Sequence, residues 1–419
     1  MQRPFADIDL PAPQRDPAEP ATYRRLLRVR GLLPLLLSSL LTRSANQMWT
    51  VGIVLFALAR YRSPSVAGIS IFVLIFPGLL VSPIAGALLD RHGRKRLMRI
   101  DFTVAATCLT AIVTLAAVND LPVWALLLLL GFGSLTSTLS NAGARSLFPL
   151  IIPRDLWDRG NAADSTIYGV AAILGPGLAG ALIALLGSEA ALAGAAVAYV
   201  IGAVALQGVP EPPRTAEVSG RIVSEAWRGL RYVVANRTLR WIAISISILN
   251  IGWGMVIVAL PVVVLRLHGT AATVGVLLAL EGAIGIPTAL LAGRMRTEGR
   301  ERHIMAATSV VMGVGVLALL VPSIPVIGLG ILTVGTGDGA ANISMFSLRQ
   351  RRTARAWFGR AFAVSMSLNF TGVPIGSAVA GTLLGLSVTL TVVLSAILIA
   401  GSGAFMLLFI PAVADHPDH

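Results

Sequence analysis

The sequence predicts an all-α polytopic membrane protein with twelve transmembrane helices in two pseudo-symmetric six-helix halves. Three observations carry that prediction. The 419 residues are 55% hydrophobic and only 13% charged, with a mean hydropathy of +0.80, which does not describe a soluble chain of this length. The apolar runs are about 20 residues long, the length that crosses a hydrocarbon core of roughly 30 Å. The features of the first six runs return in the second six about 200 residues later.

In chain order the runs lie at 32–59, 66–89, 100–118, 122–145, 164–186, 189–208, 240–264, 272–293, 303–321, 326–347, 361–385 and 388–410. The fifth and sixth are separated only by the break at Gly187, Ser188 and Glu189. The net charge of +13 would suggest nucleic acid in a soluble chain, so the placement of the cations has to decide. Of 33 Lys and Arg, 29 fall on alternate loops, the opposite loops hold only Arg60, Arg62 and Arg266, and Arg43 lies inside the first run. By the positive-inside rule the rich side is cytoplasmic, and an even number of spans puts both termini there. The expected partner is therefore the bilayer of the cell membrane, with no nucleic acid.

Residues 1–30 are Pro-rich and polar and read as a disordered cytoplasmic tail ending in a short interfacial stretch around Tyr23 to Arg28. No cleavable signal peptide precedes the first run, which then serves as its own insertion signal. The N-terminal bundle is expected over 31–208, a cytoplasmic linker over 209–239, the C-terminal bundle over 240–410 and a short tail over 411–419. Within the linker, Ser224 to Asn236 reads as an amphipathic helix. It would set Trp227, Leu230, Tyr232 and Val233 toward the membrane and Arg221, Arg228 and Arg231 toward headgroups. The single cysteine, Cys108, excludes an intramolecular disulfide.

Between the second and third runs stand Gly86, Asp90, Arg91, Gly93, Arg94 and Lys95. A loop with one acid, several cations and two glycines must cross the surface between closely apposed helices. There Asp90 can accept hydrogen bonds at a neighbouring helix N-terminus while Arg94 holds a carboxylate, which makes a latch that closes and opens. This spacing resembles the loop 2–3 signature of the major facilitator superfamily of secondary transporters. The loop at 293–302 repeats it in decayed form, with Gly299 where Gly93 stood and Arg296 where Asp90 stood. The two halves also echo each other in Trp157 and Trp357, in Asn141 and Asn342, and in Pro176 with Gly180 against Pro374 with Gly381. Parallel duplicated halves imply a substrate site between them near the midplane.

The fifth run carries Gly169, Gly175, Pro176 and Gly180, similar to the Gly-Pro motif of proton-coupled drug exporters. Small residues and a proline let helices pack closely and bend there, and an ordinary packing face is the alternative. The stretch from Asn141 to Ala162 is similar to the macrolide-efflux and enterobactin-exporter branch of the superfamily, a likeness that runs from about Pro34 to Ala412. Two departures stand out. The fourth run lacks the arginine that classical drug antiporters use in proton coupling, and the first has Asn46 where related exporters often have an acid.

An ionised side chain at mid-bilayer costs ~2.5–3.5 kcal/mol on insertion scales, so those that persist usually face a cavity or a partner. Three charged residues stand out well inside the runs, Arg43, Glu281 and Asp338, the two acids flanked by glycines. A carboxyl among apolar groups favours its neutral form and one beside an arginine its charged form, so access alternating between the two loads and unloads a proton. Asp338 is the expected coupling acid, Glu281 a second acid or substrate contact, and Arg43 their counter-charge. A static polar network holding helices in register is the alternative. Asn46, Gln47, Trp49, Ser245, Ser247, Asn250, Trp253, Asn342 and Asn369 are expected to line the same cavity, where polar groups among aromatics suit an amphipathic organic molecule. None of the five histidines lies mid-span, no set of residues has metal spacing, and no phosphate-binding loop is present. Neither a metal nor another cofactor is expected, and ATP is not the energy source. The family resemblance implies a monomeric, proton-driven exporter of amphipathic drug, macrolide or siderophore type that is not an enzyme. The alternative is a lipid or lysolipid flippase of the same fold.

Overall fold

A computed structural model describes residues 22–210, 222–294, 298–354 and 357–412, apart from the side chains of a few helical residues that include Gly86 and Asp90. The described residues fold as helices and short connections, without a strand. A one-turn helix, α1 (Tyr23–Leu27), precedes the first half: α2 (Leu32–Tyr61), α3 (Pro64–His92), α4 (Arg94–Ala117), α5 (Val123–Ile151), α6 (Trp157–Leu186) and α7 (Ala190–Ala205). After the linker helix α8 (Ile222–Ala235), the second half comprises α9 (Arg237–Arg266), α10 (Ala271–Arg294), α11 (Glu301–Leu317), α12 (Ile324–Arg351), the pair α13 (Phe358–Phe370) and α14 (Gly372–Leu386), and α15 (Val388–Phe409). Eleven helices among the described residues are long and apolar enough to cross a membrane, with α13 and α14 together supplying one. The twelfth, α2, spans 30 residues, but the polar stretch from Arg43 to Gln47 lowers its hydropathy.

Helix starts follow local chemistry. Ser63 caps α3 by accepting from Val66 N, with Pro64 in the first turn where a missing N–H leaves no bond unmade. Asn236 caps α9 and Ser387 caps α15 in the same way. Between α3 and α4 the chain turns at Gly93 alone, whose φ of +91° suits glycine. The repeat is visible in the tethers on the arginine-rich face. Lys95, second residue of α4, donates to the Gln207 and Val209 carbonyls after α7, and Arg302, second residue of α11, donates to the Ile410 carbonyl after α15. The Glu301 carboxylate, buried at the start of α11, pairs with Arg351 at the end of α12. Arg296 lies outside the described residues.

Two seams join the halves, α3 against α14 and α6 against α10. They are built alike, at the helix ends remote from the arginine-rich loops. A Cβ on Gly68 would fall 2.9 Å from the Gly381 Cα and against the Ser377 carbonyl. A Cβ on Gly275 would fall 2.9 Å from the Gly180 Cα and 2.5 Å from the Pro176 carbonyl oxygen. Gly68 and Gly275 are each the fifth residue of their helix, so the two contacts are one contact repeated. Lipid tails supply no hydrophobic force between helices, and close backbone approach through small residues is how such helices gain contact. The Gly180–Gly381 correspondence read from the sequence holds in space, but Ser377 rather than Pro374 occupies the place of Pro176.

Two other expectations change. Val233 of α8 is fully buried with Leu239, Tyr232 stacks on Trp357 at 5.0 Å, and the Tyr232 hydroxyl accepts from Ala354 N. Part of the face expected to meet the membrane therefore packs on the base of α13, while Trp227 stays exposed; Arg221 lies outside the described residues. The end of the segment expected to be a disordered tail is the docked helix α1, held by buried Leu26 and a 2.6 Å ion pair of Arg25 with Asp155.

Valine at Gly68 or Gly180 forces these backbones apart at roughly 1–3 kcal/mol, a five-fold or larger shift away from the clasped arrangement. In an Arg62→Cys/Leu386→Cys protein, either substitution lowers cross-linking by a flexible bis-maleimide. Valine at Gly401, which has open space around it, leaves the yield unchanged.

Candidate functional site

Polar side chains inside the bundle gather in separate places. In the second half, Glu281 of α10 and Asp338 of α12 interact electrostatically across a contact that glycines make close. A Cβ on Gly335 would meet the Glu281 carbonyl, and one on Gly339 would meet the Gly285 carbonyl and the Thr288 hydroxyl. Asn342, one turn beyond Asp338, donates to its Oδ2 at 2.8 Å. Both acids are partly accessible, and neither forms an ion pair with a described cation. The two acids singled out from the sequence therefore lie together.

Arg43 does not join them. Its Nη2 lies 2.7 Å from Asp164 Oδ1 and its Nη1 donates to the Asp164 backbone carbonyl at 3.1 Å, with the guanidinium carbon 5.6 Å from the Tyr168 ring centre. The aligned hydrogen bond is the one to the carbonyl, and the carboxylate approach is a charge contact. Its counter-charge is thus on α6, within its own half, because α2 and α6 pack directly against each other. Gly175 is part of that packing, its face closed by Gln47, while Gly169 faces Ile286 of α10.

The residues expected to line a cavity divide. Asn46 is exposed, and Gln47, Trp253 and Asn342 are partly so. Trp49 is core, 2% exposed, set edge-on to Tyr199 at 6.3 Å and pressed on Gly133. Asn369 is also buried. With its amide turned to satisfy both neighbours, it accepts from Arg349 Nη2 at 2.8 Å and donates to the Ser365 carbonyl at 3.0 Å. Asn250 donates to the Asn369 carbonyl and Ser247 to the Leu368 carbonyl, so both brace α9 against the point where α13 gives way to α14. Carbonyls released at a helix break inside a membrane need such donors. Gly372 and Gly376 let α14 lie directly on the α9 backbone. Ser245 is fully buried.

Three charged residues escaped sequence reasoning because they lie at or just beyond the ends of the apolar runs, while the helices extend further. Asp101, Asp164 and Arg349 sit among or near the basic loops in sequence, yet α4, α6 and α12 carry them into the bundle, where Asp101 is 2% and Arg349 1% exposed. The missing signal was helical periodicity continuing into the polar flank. In the loop 2–3 motif, Arg91 is exposed, Gly93 makes the turn and Lys95 makes the tether; the Gly86 and Asp90 side chains lie outside the described residues. Among the described residues no group of His, Cys, Asp and Glu could hold a metal ion.

Comparison with known proteins bears on this geometry. Residues 35–377 match the model of the Major Facilitator Superfamily. An uncharacterised MFS-type transporter, y4rN of Sinorhizobium fredii, is 38% identical over 408 residues, 95% of this chain and 98% of that protein. The multidrug efflux pump Tap of Mycobacterium tuberculosis is 26% identical, with 83% of this chain and 86% of Tap covered. Macrolide efflux protein A of Streptococcus pyogenes is 20% identical, with 81% and 84% covered. Among solved structures, a D-xylose-proton symporter superposes with a TM-score of 0.74 at 14% identity, covering 91% of this chain and 98% of that one. A bacterial ferroportin homologue in the inward-facing state gives 0.70 at 20% identity, covering 92% and 99%.

Removing one member of the Arg43–Asp164 pair leaves a partly buried charge. Arg43→Met and Asp164→Asn each lower stability by about 1–3 kcal/mol. The double variant loses less than the sum, with a coupling of roughly 0.5–3 kcal/mol, read as thermal midpoints of the detergent-solubilised protein.

Proposed function

Since the chain belongs to the major facilitator superfamily, we infer that it is a proton-coupled exporter of amphipathic small molecules that works by alternating access. The observation that carries this is the Glu281–Asp338 pair, two carboxyls on neighbouring helices that interact electrostatically, one of them bonded to the Asn342 amide and neither ion-paired with a described cation. Like charges at such range oppose double ionisation, so a pair of this kind holds an exchangeable proton. Tap is a multidrug efflux pump and macrolide efflux protein A exports macrolides, which supports export here, and the accessible amides of Asn46, Gln47 and Asn342 suit contacts with drug-like molecules of that kind. The driving force is then the proton gradient across the bacterial plasma membrane.

In this reading the arginine-rich loops and both termini are cytoplasmic, and the chain acts as a monomer. The seam contacts at Gly68–Gly381 and Gly180–Gly275 close the extracellular side. Substrate enters from the cytoplasm or inner leaflet. A proton taken up from outside displaces it after the halves rock, and is released inside when they return. Glu281 lies on the face of α10 toward α12, whereas Gly275 and Gly282 of the same helix face α6. Parting the α6–α10 seam therefore opens the face of α10 next to the one that carries Glu281, which changes water access to the acid pair.

Reconstituted into liposomes with a trapped pH indicator, the wild-type protein moves protons when a transported macrolide or catecholate siderophore is added. Asp338→Asn abolishes that movement, and Glu281→Gln reduces it at least ten-fold. Substrate transport with no proton movement in wild type, or proton movement unaltered in both variants, contradicts the proposal; the former result favours a facilitator or lipid carrier.

A further inference from the structure

The first half buries an acid of its own. Asp101 lies on α4 two turns from its start, 2% exposed, and its Oδ1 meets no donor among the described residues. It has no described ion-pair partner either. Leaving an ionised carboxylate in a protein interior with no cation beside it and one oxygen without a donor is a costly arrangement for a side chain. A group kept in that position is expected to bind something that relieves the charge.

The surroundings show what. Helix α4 packs on α5 and α7 and touches α3. From α5 the Thr136 and Ser140 hydroxyls flank Asp101, yet they donate to their own helix, to the Gly133 carbonyl at 3.3 Å and the Ser137 carbonyl at 3.1 Å. From α7 comes Tyr199, whose hydroxyl is within interaction range of both Asp101 and Asn46 of α2. The nearby cations are directed elsewhere. Arg99 opens onto the outer groove between α4 and α7 beside Thr103 and Val200, Arg145 of α5 is exposed, and Lys95 is engaged with the Gln207 and Val209 carbonyls. The Asp90 side chain at the end of α3 lies outside the described residues. Among the described residues the setting is therefore one carboxyl, three hydroxyls and an amide, with no ion-paired cation.

Hydroxyls rotate, and a tyrosine O–H both donates and accepts. When Asp101 is charged, Thr136 and Ser140 can turn from their helix carbonyls to the carboxylate. When it is neutral they return, and the new O–H can donate to Tyr199, whose own O–H then points to Asn46. Trp49 and Phe102, 6.3 Å and 6.1 Å from the Tyr199 ring, hold that ring in place, so a change at its hydroxyl is passed on rather than absorbed by ring motion. Asn46 is the exposed end of the chain.

We propose that Asp101 is a proton-binding site of the first half, separate from Glu281 and Asp338, and that Tyr199 carries its protonation state to Asn46 at the edge of the substrate space. Its part in transport rests on the proton-coupled reading above; proton binding itself does not. The step is a simple equilibrium in which one proton from the aqueous phase adds to the carboxylate oxygen and later leaves it.

Infrared difference spectra of the reconstituted full-length protein, recorded between neutral and acid pH, test this directly. The expected result is a protonated-carboxyl C=O band that is lost in Asp101→Asn and retained in Glu281→Gln/Asp338→Asn. Tyr199→Phe, which keeps the ring packing, shifts that band and its titration midpoint. Adding substrate perturbs the band in wild type but not in Asn46→Ala. If Asp101→Asn does not fold, the Tyr199→Phe shift serves alone. The proposal is overturned if the band is untouched by Asp101→Asn, if Tyr199→Phe leaves it unmoved, or if sodium at constant pH removes it, which would make this a cation site. Should wild type show the Asp101 band but no substrate-linked proton movement in liposomes, the coupling reading fails and the proton site stands.

Discussion

Backbone-to-backbone contact between glycines of opposite halves is the constraint on which the rest of the structure depends. In water, two six-helix units would be driven together by their apolar surfaces. In lipid that force is absent, and what remains is van der Waals contact at short range with hydrogen bonds where polar groups meet. Gly68 on Gly381 and Gly180 on Gly275 supply that contact twice, by the same residues of a duplicated unit, at one end of the molecule. Such a contact is strong only while the backbones touch. It can be lost as a unit without unfolding either half, which is what a rocking transporter of this superfamily requires.

The charged groups respect the same division. Arg43 pairs with Asp164 inside the first half, Glu281 lies beside Asp338 inside the second, and Arg351 closes on Glu301 near the arginine-rich face. None of these pairs bridges the seams, so the rocking proposed above would break none of them in a low-dielectric region, where losing a partner is costly. A bridging Arg43, expected from sequence as the counter-charge of the two acids, would have locked the halves together. Its location on α2 beside α6 instead leaves the acid pair free to exchange protons in the proposed cycle.

Much of the fold was legible because hydropathy, cation placement and repeat spacing are properties of the chain itself. Even the decayed loop at 293–302 keeps the work of its counterpart, with Arg302 tethering as Lys95 does. What depended on a partner was harder to see. Gly180 was visible as a packing residue, but its contact Gly275 was not, since nothing in one helix states which other helix it meets. Trp49 and Asn369 looked like cavity residues by type and are core by packing. Asp101 and Asp164 were concealed by position, one to two turns inside helices whose starts are so basic or polar that they pass for loops. The break at Thr371 lies just before Pro374, which has no N–H for the Phe370 carbonyl, and it is braced from outside by Ser247 and Asn250.

The central claim is that the two seams part together as the halves rock. Spin labels on cysteines at Arg62 and Leu386 for one seam, and at Leu185 and Gly269 for the other, give both distances in the same lipid, with Cys108 buried and unlabelled. The account predicts that substrate or acidification shifts both distances from a short to a long population in equal proportion. Seams that open independently, or one that stays closed under every condition while transport proceeds, would contradict it.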